Sequence, residues 1–339
     1  MRARTPSVHT LPRLAAAALA AGLLASAAGA QGPITKFGNA CAGDSGIVPT
    51  IDADVTPFSG QDFFIDITGP PSTPGFLIVG ISDTTWSGFA LPLDLGPFGL
   101  PGCDLNVSFQ LQVDFTTDSN GSFRFTVPGP AEGITAFVQA YLADIGGSSL
   151  GGLSEGLGIT GAGSPVAGDL LVTEIMNNPA FVPDMFGEWF EVYNPGDLGL
   201  NIEGWTLIDN IGSHLIDNGG LGVVVPAKGY LVLGRNGNPL LNGGIDVAYE
   251  YGDDIILNNE TDGINLTEPG GATVDSVGYD NGATFPDPVG ASMNLEPLLF
   301  DAAANDIGSN WCEGSVAIGG PQGNPDLATP GADNSSCQD

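Results

Sequence analysis

Positive charge is what this sequence has least of. Seven Lys and Arg stand against 39 Asp and Glu in 339 residues, a formal net charge of −32. A field of one sign disfavours a direct role on nucleic acid or anionic lipid and favours a cationic partner. Charge of both signs together is also thin, 14% against about 25% in ordinary globular domains. The surface must therefore rely on Ser, Thr, Asn and Gly. Of the two His, only His214 lies beyond the N-terminal leader, which leaves little for imidazole catalysis. Helical periodicity is missing as well: over residues 35–160 no window of 12 or more residues shows it without an interrupting Gly or Pro, which argues against a helical bundle. Beyond residue 30 no apolar run is long enough to span a bilayer.

What is present is 42% apolar residues, enough for a folded core, and dense punctuation by 52 Gly and 26 Pro. At the N-terminus Arg2, Arg4 and Arg13 flank a short apolar run over residues 14–25, followed by Ala28-Gly29-Ala30. This is the pattern of a secretory signal peptide over residues 1–30, cleaved after Ala30. The exported chain keeps Lys36, Arg124, Lys228 and Arg235 as its cations. An even count of four Cys in such a chain reads as disulfides, with three connectivities open. Cys41–Cys103 and Cys312–Cys337 are the expected pairs, because each then closes inside one domain. The rival, a four-thiolate metal site, lacks a C-x-x-C pair and would need both domains to converge.

The organisation reads as all-β, with two β-sandwich domains. Residues 31–159 form the first. Its short β-branched and aromatic runs predict strands over 63–67, 75–80, 105–109, 122–127 and 136–141. Asp118-Ser119-Asn120-Gly121 predicts a hairpin turn, because Asn-Gly accepts positive φ. Residues 160–168 have the composition of a Gly/Ser linker. Residues 169–337 form the second domain. Strands are predicted at 171–176, at 188–194, where apolar and polar residues alternate, and at 229–234 and 254–257. Trp189, Phe190 and Trp205 supply its large apolar side chains.

Six pieces of the second domain stand in a fixed order. They are Gly187-Glu188-Trp189-Phe190-Glu191-Val192-Tyr193-Asn194-Pro195, Gly204-Trp205-Thr206-Leu207, Gly229-Tyr230-Leu231-Val232-Leu233, Asp262-Gly263-Ile264-Asn265-Leu266, Val274-Asp275-Ser276-Val277-Gly278-Tyr279 and Ala328-Thr329-Pro330-Gly331-Ala332-Asp333-Asn334. Together they resemble the lamin-tail domain of secreted bacterial proteins. The resemblance implies an immunoglobulin-like sandwich used for extracellular recognition, attachment or structural assembly, and no active site. Gly38-Asn39-Ala40-Cys41-Ala42-Gly43 and Gly102-Cys103 resemble an N-terminal β-module of exported bacterial proteins, which implies fold and export alone.

Several patterns invite a chemical reading. Gly152-Leu153-Ser154-Glu155-Gly156 matches the hydrolase elbow and Gly156-Leu157-Gly158-Ile159-Thr160-Gly161 the dinucleotide fingerprint, but neither is followed by the helix its chemistry requires. Both are expected to be loop or linker, as is Gly43-Asp44-Ser45-Gly46. Glu174, Glu188 and Glu191 fall in predicted strands, where they are expected to face solvent or to accept backbone amides. Converging in a pocket instead, they would support a carboxylate-based hydrolase. Asp253, Asp254, Asn258 and Asp262 crowd one loop with the hard oxygen ligands of calcium, and Asn177, Asn178 and Asp184 form a second group. No EF-hand loop occurs, so a weak Ca²⁺ site is the most that this chemistry supports. No other cofactor is expected. The partner expected is a protein or a cell surface, with no membrane span; the alternative function is a calcium-assisted or carboxylate-based extracellular hydrolase, or an accessory module of one.

Overall fold

The structure is a computed structural model that describes residues 9–10, 32–143 and 151–337. Apart from the backbone of His9–Thr10, the leader read at residues 1–30 lies outside the described residues. The chain is all-β, with a single α-helix of one turn, α1 (Asp184–Gly187), among the described residues. It divides into two compact units, residues 1–164 and 165–339.

The first unit holds eight principal strands: β1 (Ile34–Phe37), β2 (Thr50–Asp52), β3 (Asp62–Thr68), β4 (Pro74–Gly80), β5 (Leu111–Thr116), β6 (Ser122–Pro128), β7 (Thr135–Leu142) and β8 (Gly152–Thr160). One sheet runs β5-β4-β7-β8-β1; the other runs β6-β3-β2, with His9–Thr10 parallel to β6. Phe115 of the first sheet meets Phe123 and Phe125 of the second at ring centroids of 4.9 and 5.5 Å. A second cluster forms where Cys41–Cys103, Cα–Cα 5.1 Å, packs with Ile78, Leu105, Val107 and Leu153.

Three sequence expectations change here. The turn at Asp118-Ser119-Asn120-Gly121 does not close a hairpin. β5 pairs with β4 and β6 pairs with β3, so the chain crosses between sheets at this point. It runs beside the β3–β4 crossing, which it meets through Gly69 N to Gly121 O and Ser72 N to Asp118 O. Gly121 has φ 82°, and a Cβ there would lie 2.1 Å from Gly69 O. The strand expected at 105–109 is reduced to Asp104–Leu105, paired with Leu93–Asp94, and the longer strand follows at β5. Residues 106–108 are held instead by Asn106 N to Gln139 Oε1 and Ser108 N to Ser82 O. Finally, both glycine motifs lie on β8 rather than in a loop. The alternation of Leu153, Leu157 and Ile159 drives burial, and a Cβ on Gly156 would meet the Phe37 ring at 2.5 Å. Ser154 is fully buried, accepting from Ala140 N and donating to Glu155 O. In the stretch read as linker, Gly161 and Ala162 bridge to Glu132 and Phe58.

The second unit is built from β9 (Leu171–Met176), β10 (Trp189–Asn194), β11 (Thr206–Ile208), β12 (Ser213–Leu215), β13 (Gly229–Gly234), β14 (Tyr249–Glu250), β15 (Thr261–Thr267), β16 (Thr273–Asp280), β17 (Met293–Leu295) and β18 (Trp311–Glu313). A six-stranded sheet runs β14-β13-β10-β9-β17-β18, and a four-stranded sheet runs β12-β11-β15-β16. Trp189, Phe190 and Trp205 are all buried to 1% exposure or less, each worth roughly 2–3 kcal/mol of transfer free energy. The strand expected at 254–257 is absent: Ile256 N donates to Asp209 Oδ2 and Leu257 N to Glu188 Oε2, so side chains take the amides a ladder would use.

Candidate functional site: carboxylates beneath a C-terminal strap

β9 and β10 are antiparallel, and a register shift between Val172 and Glu174 sets Glu174 directly opposite Glu191. Strand alternation then places Trp189, Glu191 and Tyr193 on one face of β10 and Phe190 and Val192 on the other. Phe190 stacks on Tyr251 at 5.8 Å. The opposite face is covered by the chain after β17. Trp189 and Met176 pack with Val232, Ile245 and Ala328, and Tyr193 meets Phe300 at 5.1 Å.

Residues 328–334 cross this face as a strap, and the two glutamates hold it. Glu174 Oε1 accepts from Ser292 Oγ at 2.5 Å and Thr329 N at 2.8 Å, and Oε2 accepts from Thr329 Oγ1 at 3.2 Å. Glu191 Oε2 accepts from Gly331 N at 2.7 Å and Oε1 from Thr173 Oγ1 at 2.9 Å. Asn334 Nδ2 donates to Thr173 O and Leu295 O. Beyond the strap, Cys337 N donates to Glu296 Oε2, and Cys312–Cys337, Cα–Cα 5.4 Å, ties the tail to β18. Both glutamates are fully buried. Burial pushes Glu174 up to about 7, and burial with the neighbouring Glu174 pushes Glu191 up to about 9.

Glu188 does not join this pair. It meets Arg235 Nη1 at 3.2 Å and receives Leu257 N, and burial outweighs the Arg235 charge to raise it to about 7. Asp275, raised by burial to about 6, accepts from Val172 N and Asn305 Nδ2. The expectation that Glu174, Glu188 and Glu191 either face solvent or accept backbone amides resolves to the second: none faces solvent, and each accepts an amide.

The calcium candidates are dispersed among other partners. Asp253 pairs with Arg235 at 2.8 Å, and Asp254 with His214 Nδ1 at 2.9 Å. Asp262 accepts from Asn210 N, Gly263 N and Asn258 N. In the second group Asp184 accepts from Asn259 Nδ2, Asn177 Nδ2 donates to Asn258 O, and Asn178 O accepts from Gly290 N. Among the described residues no three His, Cys, Asp or Glu side chains gather as a metal-binding group. His214 also meets Tyr249 Oη at 2.7 Å, joining β12 to β14 across the two sheets. Sequence reasoning missed Ser292, Asn294 and that His214–Tyr249 contact. It quoted Thr329, Gly331 and Asn334 only as pieces of a resemblance; a short polar motif far along the chain does not announce which buried group it covers.

A two-sheet sandwich with this strand content places the second unit among immunoglobulin-like folds. Residues 164–281 match the family model of the Lamin Tail Domain, so this unit carries a lamin tail domain. The match ends before β17, so the tail, β17, β18 and the strap lie outside it. No curated protein matches the chain. Among solved structures, trypsin-activated alpha-2-macroglobulin from Escherichia coli is similar at 13% identity and TM-score 0.22, over 71% of this chain and 17% of that one. Salmonella alpha-2-macroglobulin reacted with methylamine is similar at 12% identity and TM-score 0.22, over 74% and 17%. A bacterial ice-binding adhesin is similar at 12% identity and TM-score 0.20, over 69% and 66%. The chain thus spans a small part of the macroglobulins' length.

Proposed function

We propose that this is an exported, non-enzymatic protein whose lamin tail domain serves extracellular recognition, attachment or structural assembly. The observation that carries the reading is how the carboxylates are used. Glu174, Glu188 and Glu191, the best-placed candidates for acid–base chemistry, accept hydrogen bonds from the chain's own backbone and side chains. A general acid needs a carboxyl that faces substrate, and here strap and sheet cover it. The two disulfides support an oxidising compartment. No helix among the described residues is long and apolar enough to cross a membrane. The excess of 39 acidic residues over 7 basic ones favours a cationic protein or cell surface as partner.

The test is retention of the purified full chain on isolated cell-envelope material at low and high salt, run beside turnover assays on polysaccharide, ester and phosphate substrates. Saturable retention that weakens with salt, with no turnover, is the expected result. Turnover abolished by Glu174→Gln or Glu191→Gln would overturn it in favour of a carboxylate-based hydrolase.

A further inference from the structure

The strap is fastened by a set of hydrogen bonds whose protons do not balance if both glutamates are ionised. Ser292 Oγ lies 2.5 Å from Glu174 Oε1 and 2.7 Å from Asn294 Oδ1. Thr329 Oγ1 lies 3.2 Å from Glu174 Oε2 and 3.2 Å from Asn334 Oδ1. Each hydroxyl has one proton to give. Asn334 cannot turn, because its Nδ2 donates to Thr173 O and Leu295 O, whereas Asn294 can, because Ser335 Oγ donates as well as accepts. With Glu174 ionised the single Thr329 proton serves either Glu174 Oε2 or Asn334 Oδ1, and one buried acceptor loses its donor. With a proton on Glu174, the carboxyl donates to Thr329 Oγ1, which is then free to donate to Asn334 Oδ1. Glu191 accepts from Thr173 Oγ1 and Gly331 N and stands directly opposite Glu174, so the two buried carboxyls hold the proton as a pair.

Among the described residues of this unit no cation takes the place of that proton. Lys228 pairs with Asp197, and Arg235 with Glu188 and Asp253. The titratable groups facing the pair are Asp333 on the strap and Tyr230 on β13, whose hydroxyl donates to Asp333, with Tyr193 beside it on β10. Glu296, after β17, accepts from Ser336 Oγ and Cys337 N. None of these carries positive charge.

We propose that Glu174 and Glu191 are a proton-held latch: a proton shared by the pair fastens residues 328–334 to the sheet, and its loss as the pH rises frees them. The Cys312–Cys337 bridge keeps the freed segment tethered to β18. Losing the proton sets two negative charges on facing strands in a dry site and removes the donor that one amide oxygen depends on. Opening lets water reach both carboxylates, which then return to their ordinary range. Opening therefore releases protons, and raising the pH favours it.

Hydrogen exchange at the Thr329 and Gly331 amides of the full chain tests this, read as protection factors so that intrinsic base catalysis cancels. The latch predicts protection that falls at least about tenfold per pH unit from about pH 5 to about pH 9, between the ordinary glutamate range and the folded values of the pair, and levels off above. The double variant Glu174→Gln with Glu191→Gln, neutral at every pH, flattens the profile across that window. Glu191→Gln alone removes the charge opposite Glu174 and ends the fall at least one pH unit lower. Wild-type protection independent of pH overturns the latch without any variant, and a fall that persists unchanged in the double variant overturns the assignment of the proton to the pair.

Discussion

The two units fill their interiors with different polar groups. Among the described residues of the first, the buried polar side chains are Thr73, Asn106, Ser108, Thr117, Thr126, Gln139 and Ser154, all neutral. In the second they include Glu174, Glu188, Glu191, Asp209, Asp262, Glu268, Asp275, Glu296 and Asp326. Both units face the same difficulty: many irregular connections, and few cations for their acids. The first leaves its described acids unburied, and there Lys36 meets Asp52 and Arg124 meets Asp66. The second turns acids inward as acceptors for loop amides. Asp209 takes Ile211 N, Gly212 N and Ile256 N, Asp262 takes three amides, and Asp326 takes Ala180 N and Phe181 N. One carboxylate with several donors can replace a stretch of ladder, which is why the second unit tolerates long irregular segments between short strands. The consequence is that its stability depends on pH, whereas a hydroxyl-and-amide interior does not titrate.

The largest expected effect tests that contrast. Glu174, Glu188, Glu191 and Asp275 have folded values raised by burial to about 7, 7, 9 and 6. The folded state therefore holds protons that the unfolded chain has already released above about pH 4.5. The stabilisation tied to those protons is complete below that point and is lost as pH rises through the folded values. Between pH 5 and 9 the second unit should lose several kcal/mol, and the first should change little. Denaturant melts followed by exchange at amides of each unit separate the two; equal slopes would erase the contrast.

A smaller effect comes from removing one internal acceptor. Asp262→Ala leaves three amides without their acceptor and should cost about 2–4 kcal/mol in the second unit, read from the denaturant midpoint. In the first unit Thr117→Val is the counterpart. Thr117 Oγ1 accepts from Thr73 N and donates to Pro70 O, so its loss should cost about 1–2 kcal/mol. If Thr117→Val costs more than Asp262→Ala, the carboxylates are not the stronger fastening. Smallest is Arg124→Ala. Its bidentate pair with Asp66 is about 40% exposed on the Arg side, and it should cost no more than about 1 kcal/mol despite the good geometry.

Much of the fold could be read from residues alone. Alternation marked β9, β10 and β13, and Trp189, Phe190 and Trp205 were recognisable as core by their size and company. Cys41–Cys103 and Cys312–Cys337 followed from even count and domain spacing. Partner choice was harder to read. Asp118-Ser119-Asn120-Gly121 has every local mark of a hairpin, yet β5 and β6 enter opposite sheets, because pairing is decided by distant strands. The two glycine motifs of β8 read as loop because glycine weakens a strand on its own, although residues up to 159 were assigned to the first domain; here the strand is kept because Phe37 and neighbouring backbone press against it. The carboxylates were identifiable as residues but not as buried ones. Their burial depends on a strap more than 130 residues away in sequence, as the contacts of Glu174 with Thr329 and Glu191 with Gly331 show.

The central claim is that the acids of β9 and β10 are interior fastenings. Carboxyl ¹³C resonances of the full chain, labelled at glutamate and followed over pH, report it directly. Glu174, Glu188 and Glu191 should titrate near or above 7, well above the ordinary glutamate range. Midpoints for all three within the ordinary range would mean that water reaches them, and the account of the second unit would be contradicted.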